Sequence, residues 1–412
     1  MQNKVVCLKE WEKLTLSNYD SLTISALMDL QERDIIDVKL SKNGIEITSR
    51  SMVGFESNDS FSLTVEPKVS NFSVLKMIGY VYGFIPFRDE SAYFNEGEAE
   101  LKDLLIYQWL SLVQKLLPKI RSSYVTVNSQ ELFIKGKIDF KKLSSQGVVT
   151  GKTPIKYKVL RFNHLLNQII KSGLVYFKKT TLNPFLVTKI DLLLRNFTSI
   201  DIKPLSIDEL QQVIKNLTRI HNMYKVPLEY LYWLLQASGI QSQKCIVGKS
   251  MWINMNTLFQ DYLTKILLEF LSELSFKSEV SDYTIFKFSK NANPLNYNSI
   301  SIRPDLLIFK DGMLVNIVDF KYKSYSEKRV STSDLYQLSN YGLSVGQGRV
   351  NPIILYPAEK CFPDQIIEVR ITALDEKQQI VIRGANLRFL EAMIDRNDFN
   401  ELRKYSKYLL SK

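Results

Sequence analysis

The sequence predicts a multidomain α/β fold: a β-rich N-terminal part, a mainly helical middle region, and a C-terminal α/β core on a mixed sheet. Three observations predict it. Apolar residues recur at strand period over the first 70 residues, at helical period from about residue 73, and in alternating strand and helix patterns beyond about residue 250. At 412 residues and 45% hydrophobic content, the chain can bury a large core in two or three domains. The polar, turn-rich stretch 239–250 separates the helical region from the last α/β pattern. The expected division is therefore 1–70, 71–245 and 246–412.

Short runs rich in β-branched residues place strands at 5–8, 35–40, 45–48 and 62–65, with a helix at 23–30 between them. Asn43-Gly44 marks a hairpin, because both residue types adopt positive φ readily. Val74, Leu75, Ile78, Val81 and Tyr82 then share a helical face, and a longer helix over 98–117 ends at Pro118, which lacks a backbone donor. A β-like stretch at 124–139 contains Gly136. Helices follow at 161–178, 184–196, 206–217 and 219–237. The C-terminal part reads as a helix at 255–274, strands at 277–280 and 283–288, a polar loop at 291–298, and an acid-bearing hairpin. A helix at 331–343, strands at 352–356 and 366–371, and a helical region from Leu387 complete it. The chain has neither an internal repeat nor a low-complexity tail.

Composition narrows the function. A net charge of +11 suits a polyanionic partner, nucleic acid first and anionic membrane second. No apolar run reaches the roughly 18 residues of a spanning helix, and the start lacks a signal-peptide core. A cytoplasmic location away from membranes is expected. Cys7, Cys245 and Cys361 are odd in number and far apart, so they form neither a disulfide framework nor a zinc ribbon and read as buried thiols. With two histidines, His164 and His221, hydrolases built on paired or helical histidines are excluded. His164 lies in an amphipathic segment and reads as a packing or hydrogen-bonding residue. Val247-Gly248-Lys249-Ser250 ends like a phosphate-binding loop, but Gln243 stands where the first glycine belongs, so no nucleotide is expected on this chain.

The chemistry concentrates near residue 300. Arg303-Pro304-Asp305 leads through Leu306-Leu307-Ile308-Phe309-Lys310, a turn at Asp311-Gly312, and Met313-Leu314-Val315-Asn316-Ile317-Val318 to Asp319-Phe320-Lys321. Strand residues two apart share a face, so Asp319 and Lys321 project together: a hard-cation ligand beside an ammonium. Such a pair can hold Mg²⁺ and help place or activate a water for attack on a phosphodiester. A two-residue turn pairing Lys310 with Met313 would put Asp305 opposite Val318, on the wrong face. A three-residue loop at 310–312 with a bulge at Gly312 would put it opposite Ile317, on the face of Asp319, and this register is expected. The bare pattern also fits a solvated surface hairpin. Against that, Asp319 ends a buried-type run, where an acid is costly unless paired or metal-bound.

Two helices supply further candidates. Gln337 and Tyr341 stand at i and i+4 and can orient a phosphate or a metal-bound water; they also fit a packing face with one exposed amide. In the preceding helix, Gln260 or Asp261 is aimed at the same region as an accessory ligand. Lys323, Lys328 and Arg329 form a basic cluster that fits either phosphate contacts or a solvated face.

Together, Arg303-Pro304-Asp305, Asp319-Phe320-Lys321-Tyr322-Lys323 and Tyr336-Gln337 with Tyr341 resemble the PD-(D/E)xK nuclease superfamily, in its RecB-like form. The rest of the chain resembles the McrC family, nuclease subunits of McrBC-type restriction systems. Supporting stretches are Leu63-Thr64-Val65-Glu66-Pro67-Lys68 before a helix, Ile134-Lys135-Gly136-Lys137-Ile138-Asp139, and Phe162-Asn163 with Leu166-Asn167. Arg219 with Tyr224, and Asn254-Met255-Asn256 with Leu258-Phe259, add to them. The resemblance implies a partner-docking N-terminal region and a PD-(D/E)xK nuclease core that cleaves double-stranded DNA in anti-phage defence. It implies Mg²⁺ on Asp305, Asp319 and the Phe320 backbone carbonyl, with Lys321 and Gln337 completing the catalytic set. The implied partner is a hexameric McrB-like AAA+ GTPase, which binds GTP or ATP and is stimulated by this chain. Relatives often carry Glu where Gln260 stands, so that role is lost or passes to Asp261; they often carry Arg at Lys137. Rival readings are a non-catalytic adaptor of an AAA+ motor and a stand-alone nuclease.

Overall fold

The computed structural model describes residues 4–17, 20–42, 44–57, 61–84, 100–145, 151–238, 250–278, 283–286, 300–326, 328–369 and 378–411. Asn43, Cys245, the pseudo-loop 247–249, the polar loop 291–298, and the ends of the strands expected at 277–280, 283–288 and 366–371 lie outside them. The chain divides into two compact units, Met1–Gly54 with Asp59–Ala99 and Ile253–Lys412, and Phe55–Asn58 with Glu100–Trp252. The N-terminal strands thus share a unit with the C-terminal core, whereas the expected division separates them at residues 70 and 246.

In the first unit, Lys4–Lys9 pairs in parallel with Phe61–Glu66, and Lys13–Leu16, Gly44–Ser49 and Ile36–Ser41 form a small antiparallel sheet. Gly44 closes that hairpin with φ 132°, and a Cβ there would meet the Leu16 carbonyl oxygen at 2.1 Å, so only glycine fits. The helix Ser21–Glu32 begins at Asp20, whose carboxylate accepts the Thr23 N–H. Asn71–Tyr82 begins the same way, with the Ser70 hydroxyl accepting the Ser73 N–H, and ends at Gly83 in the left-handed conformation.

The C-terminal part of this unit is a six-stranded mixed sheet in the order Ser275–Ser278, Leu306–Lys310, Met313–Phe320, Pro352–Ala358, Gln378–Asn386, Gln365–Val369. Its first three strands pair antiparallel; Met313–Phe320, Pro352–Ala358 and Gln378–Asn386 are parallel; Gln365–Val369 closes the far edge antiparallel. The helix Thr332–Ser344 covers one face. Its Leu338 and Tyr341 pack with Leu307, Ile317, Ile354, Ile380 and Ile382, all fully or nearly fully buried. Each such aliphatic side chain contributes about 1.5–3 kcal/mol by leaving water. The helix Met255–Phe270 covers the other face, where Phe259 meets Phe320 edge-on, ring centroids 6.5 Å apart. Of the last helices, Leu387–Arg396 and Phe399–Leu410, the second ends at buried Arg383. Its guanidinium holds the Asp364 carboxylate at 2.6 Å and donates to the carbonyls of Tyr408 and Ser411.

The second unit centres on Leu101–Leu116, buried on nearly every side, with Leu165–Thr180, Pro184–Leu194 and Lys225–Ala237 around it. Trp109 Nε1 donates to the Pro227 carbonyl at 3.0 Å. Ser123–Glu131 pairs along its whole length with Thr153–Arg161, which also holds the short Lys137–Ile138. The sequence reading has no element at 153–160, although lysines alternate there with Ile155, Tyr157 and Val159, which lie on the more buried face of the strand. His164 precedes the helix Leu165–Thr180, and its Nε2 lies 3.0 Å from the Arg121 carbonyl, the hydrogen-bonding role its position suggested. Cys7 and Cys361 are exposed, contrary to the expectation of buried thiols.

Candidate active site

The hairpin turns on Asp311-Gly312, with φ 51° and 78°, and Lys310 pairs with Met313. This is the two-residue primed-type turn, so the expected three-residue loop is corrected. Yet the ladder does not stay in the register that turn dictates. Phe309 pairs with Leu314 but Ile308 pairs with Asn316, leaving Val315 as one extra residue. The bulge moves every later pair by one, so Leu306 faces Val318 and the next position brings Asp305 level with Asp319. Asp305 therefore reaches the expected face by a bulge in the strand rather than in the loop. Its Oδ2 accepts the Phe320 N–H at 2.7 Å, which fixes it beside the end of the strand.

Asp319 is fully buried and Lys321 is partly buried, with Nζ 3.0 Å from Asp319 Oδ2. Lys321 Nζ also donates to Gln337 Oε1 at 3.1 Å. Gln337 Nε2 donates to the Tyr341 hydroxyl at 2.6 Å, and that hydroxyl donates to the Arg303 carbonyl at 3.1 Å. One continuous relay thus ties the covering helix to both strands of the hairpin and orients the ammonium. Burial, reinforced by neighbouring Asp305, pushes the Asp319 carboxyl up to about 7 against the pull of Lys321. Burial also works against the Lys321 charge, but Asp319 and Asp305 outweigh it and hold this ammonium above its ordinary range.

Both Asp319 oxygens are buried, and apart from the Lys321 ammonium at 3.0 Å from Oδ2 no donor among the described residues reaches them. A buried carboxylate left this way is costly, and a hard cation would satisfy it. Among the described residues no three His, Cys, Asp or Glu side chains gather as a ligand set. Two carboxylates with the Phe320 main-chain carbonyl are nevertheless a fitting donor set for Mg²⁺, which keeps several of its own waters.

The other candidates separate. Phe259 packs on the Phe320 face, opposite to that of Asp319 and Lys321, so the adjoining Gln260, half-buried, and Asp261, exposed, belong to a helix on the far side of the sheet. Lys323 is ion-paired with Asp334 at 2.7 Å, whereas Lys328 and Arg329 are exposed. Sequence reasoning missed Asp334 itself. This buried carboxylate accepts from Lys323, from the Ser331 hydroxyl at 2.5 Å and from the Tyr325 hydroxyl, and caps the helix through Ser331, which accepts the Asp334 N–H. Burial would raise its carboxyl, but these donors together hold it below the ordinary carboxylate range. The Ser331-x-x-Asp334 spacing was legible as a helix start; its role in anchoring the loop after Lys321 was not.

Comparison with known proteins adds three findings. Comparison with curated proteins gave no match. A chain from the refined half-complex of a tetradecameric assembly of Thermococcus gammatolerans McrB AAA+ hexamers with bound McrC has a similar fold, with TM-score 0.65 at 16% identity, covering 95% of this chain and 100% of that one. A chain of the Thermococcus gammatolerans McrBC complex, seen by cryo-electron microscopy, is similar at TM-score 0.47 and 18% identity over 65% of this chain and 88% of that one. The family model for McrBC 5-methylcytosine restriction system components matches residues 47–357, more than half of the chain and the whole of the acid–lysine hairpin. The chain belongs to the family of McrBC 5-methylcytosine restriction system components.

Proposed function

We propose that this chain is the McrC-type DNA-cleaving subunit of an McrBC-like restriction complex, a PD-(D/E)xK endonuclease that requires Mg²⁺. It works with a McrB-type AAA+ motor and stimulates that motor's nucleotide hydrolysis. One observation carries this reading: Asp305, Asp319 and Lys321 meet on one face of the hairpin, where the buried Asp319 carboxylate has the Lys321 ammonium beside it and no other donor among the described residues. Family membership supports the restriction role. The partner rests on the neighbour of similar fold, which comes from an assembly of McrB AAA+ hexamers with bound McrC.

Asp305, Asp319 and the Phe320 carbonyl would hold the ion. Bound there, Mg²⁺ supplies Lewis-acid polarisation of the phosphate and a more acidic water. Lys321, held protonated, places its ammonium beside the attacked phosphate and offsets the charge that develops on the phosphorane. Gln337 and Tyr341 fix that ammonium through the relay and reduce the reorganisation needed at the moment of reaction. Asp305 orients the strand end by accepting the Phe320 N–H.

Plasmid cleavage with Mg²⁺, with and without the candidate AAA+ partner and GTP or ATP, tests the proposal in wild type and Asp319→Ala. Cutting that needs both the partner and Asp319 is the expected result. Stimulation of the motor by both proteins, with no Asp319-dependent cutting of methylated or unmethylated DNA, would assign the chain as an adaptor instead.

A further inference from the structure

The loop that leaves the acid–lysine strand lines a cavity of about 200 Å³ with Lys323, Tyr325, Lys328 and Arg329, together with Trp11 and Lys68 from the N-terminal strands. Among the described residues its charged lining is entirely basic. Lys323 is tethered to Asp334 at 2.7 Å, and Lys68 Nζ lies 5.6 Å from the centre of the Trp11 ring and 5.7 Å from that of Tyr322. The cavity thus combines cations with an aromatic wall. It adjoins the catalytic set through the chain itself, since Lys323 follows Lys321 by two residues.

Trp11 is placed against its own preference. It occupies the third position of a turn closed by the Glu12 N–H on the Lys9 carbonyl at 3.0 Å, and its φ is 63°. That position suits glycine or asparagine, and a bulky side chain there is an outlier. The side chain is nonetheless 40% exposed, so its burial does not explain the strain. A large aromatic residue held in a disfavoured conformation beside four cations is a feature more consistent with binding than with folding.

We propose that this cavity is a nucleotide subsite that takes one unpaired nucleotide of a DNA strand, its base stacked on Trp11 and its phosphate held by Lys328 and Arg329. The inference rests on the nuclease reading for what the neighbouring site does, but the cavity's chemistry stands apart from catalysis. Base–aromatic stacking tolerates any base and operates beside a basic groove that follows the backbone. A cavity of about 200 Å³ is smaller than the roughly 300–1,000 Å³ of pockets that hold larger organic ligands, which limits the occupant to one base with its phosphate. In a duplex the faces of a base are covered by its neighbours, so a base on Trp11 must have left the stack.

The test uses the full chain in EDTA, which separates binding from cutting, with a fluorescein-labelled ten-nucleotide oligothymidylate and a ten-base-pair duplex as probes. Wild type is expected to bind the single strand more tightly than the duplex and to lose tryptophan emission on binding. Trp11→Gly is expected to weaken single-strand binding about 5- to 100-fold and to abolish the quench, while its melting temperature stays at or above that of wild type. Trp11→Phe should retain binding within about 3-fold, and Trp11→Leu, apolar but without a π-face, should lose it. Wild-type affinity in Trp11→Gly or Trp11→Leu would overturn the proposal. So would equal affinity for both probes that falls only in Lys328→Ala with Arg329→Ala, which would mark a phosphate surface alone. If Trp11-dependent binding holds while plasmids stay uncut, the nuclease reading fails and the subsite stands.

Discussion

Replacing Asp319 with asparagine should stabilise the metal-free protein at alkaline pH. In the fold the carboxyl titrates at about 7 instead of its ordinary 3.8, chiefly because it is buried and secondly because Asp305 stands beside it. The folded state therefore holds this proton more tightly than the unfolded chain does. Below the ordinary value both states are protonated and the side chain costs nothing. As pH rises from there through about 7, wild type loses stability, and above it the loss is complete. At about 1.36 kcal/mol per pH unit, that shift amounts to roughly 4 kcal/mol. Asparagine carries no charge but leaves Lys321 without its partner at 3.0 Å, which offsets part of the gain. A net stabilisation of about 2 kcal/mol at pH 8 follows, with little difference near pH 5. Thermal unfolding in EDTA at the two pH values reads it directly. Mg²⁺ supplies a second arm: at a hundredfold excess over its dissociation constant it should stabilise wild type by about 2.7 kcal/mol and Asp319→Asn by nothing. A gap of the same size at pH 5 and pH 8, or an asparagine variant that is weaker at pH 8, would refute the reasoning.

Other substitutions probe the surroundings of the site. Gln337→Leu breaks the relay from Lys321 to Tyr341; the turnover number in a partner-supported cleavage assay should fall about 100-fold with KM little changed, as expected when a catalytic group is misplaced by about 1 Å. Gly342→Ala would bring a Cβ to 1.9 Å from the buried Gln378 amide and should cost about 1–3 kcal/mol by denaturant melting. Adding Gln378→Ala should restore part of that loss, because the clash is with a side chain. Arg383→Met removes the guanidinium that holds Asp364 and the C-terminal carbonyls, and should lower stability by about 3–5 kcal/mol.

The elements most legible in the sequence were those whose period follows from one-sided burial. The strands at 5–8 and 62–65 and the helix beginning near residue 331 lie close to Lys4–Lys9, Phe61–Glu66 and Thr332–Ser344. Thr153–Arg161 and Gln378–Asn386 were missed for different reasons. In the first the alternation of lysines with Ile155, Tyr157 and Val159 was legible at strand period, while in the second Gln378 and Arg383 are buried polar residues whose burial only the fold explains. Within the site, Asp319, Lys321, Gln337 and Tyr341 were readable because two-residue and four-residue spacings fix a face locally. Asp305 needed the correct register across a turn, and its face was reached although the bulge was placed in the wrong part of the hairpin. Trp11 and Lys68 lie far from residue 320 in the chain, and no local spacing relates them to it.

The bulge at Val315 makes the hairpin a counting device. Substitutions along it change packing but leave the count intact. Losing Val315 itself would remove the bulge and leave Asp305 level with Asp319, whereas losing a single residue from Leu306–Ile308 with the bulge kept would bring Asp305 opposite Val318 and turn the two acids to opposite sides of the sheet. Every motif residue would still be present in such a sequence, and an alignment that admits one gap would score it as intact. Among descendants of this chain, a one-codon deletion on the Asp305 strand is thus the shortest route from the proposed nuclease to an inert look-alike. The number of residues between Asp305 and the turn, as well as the presence of both acids, is the mark by which an aligned pair of acids can be told from a misaligned one.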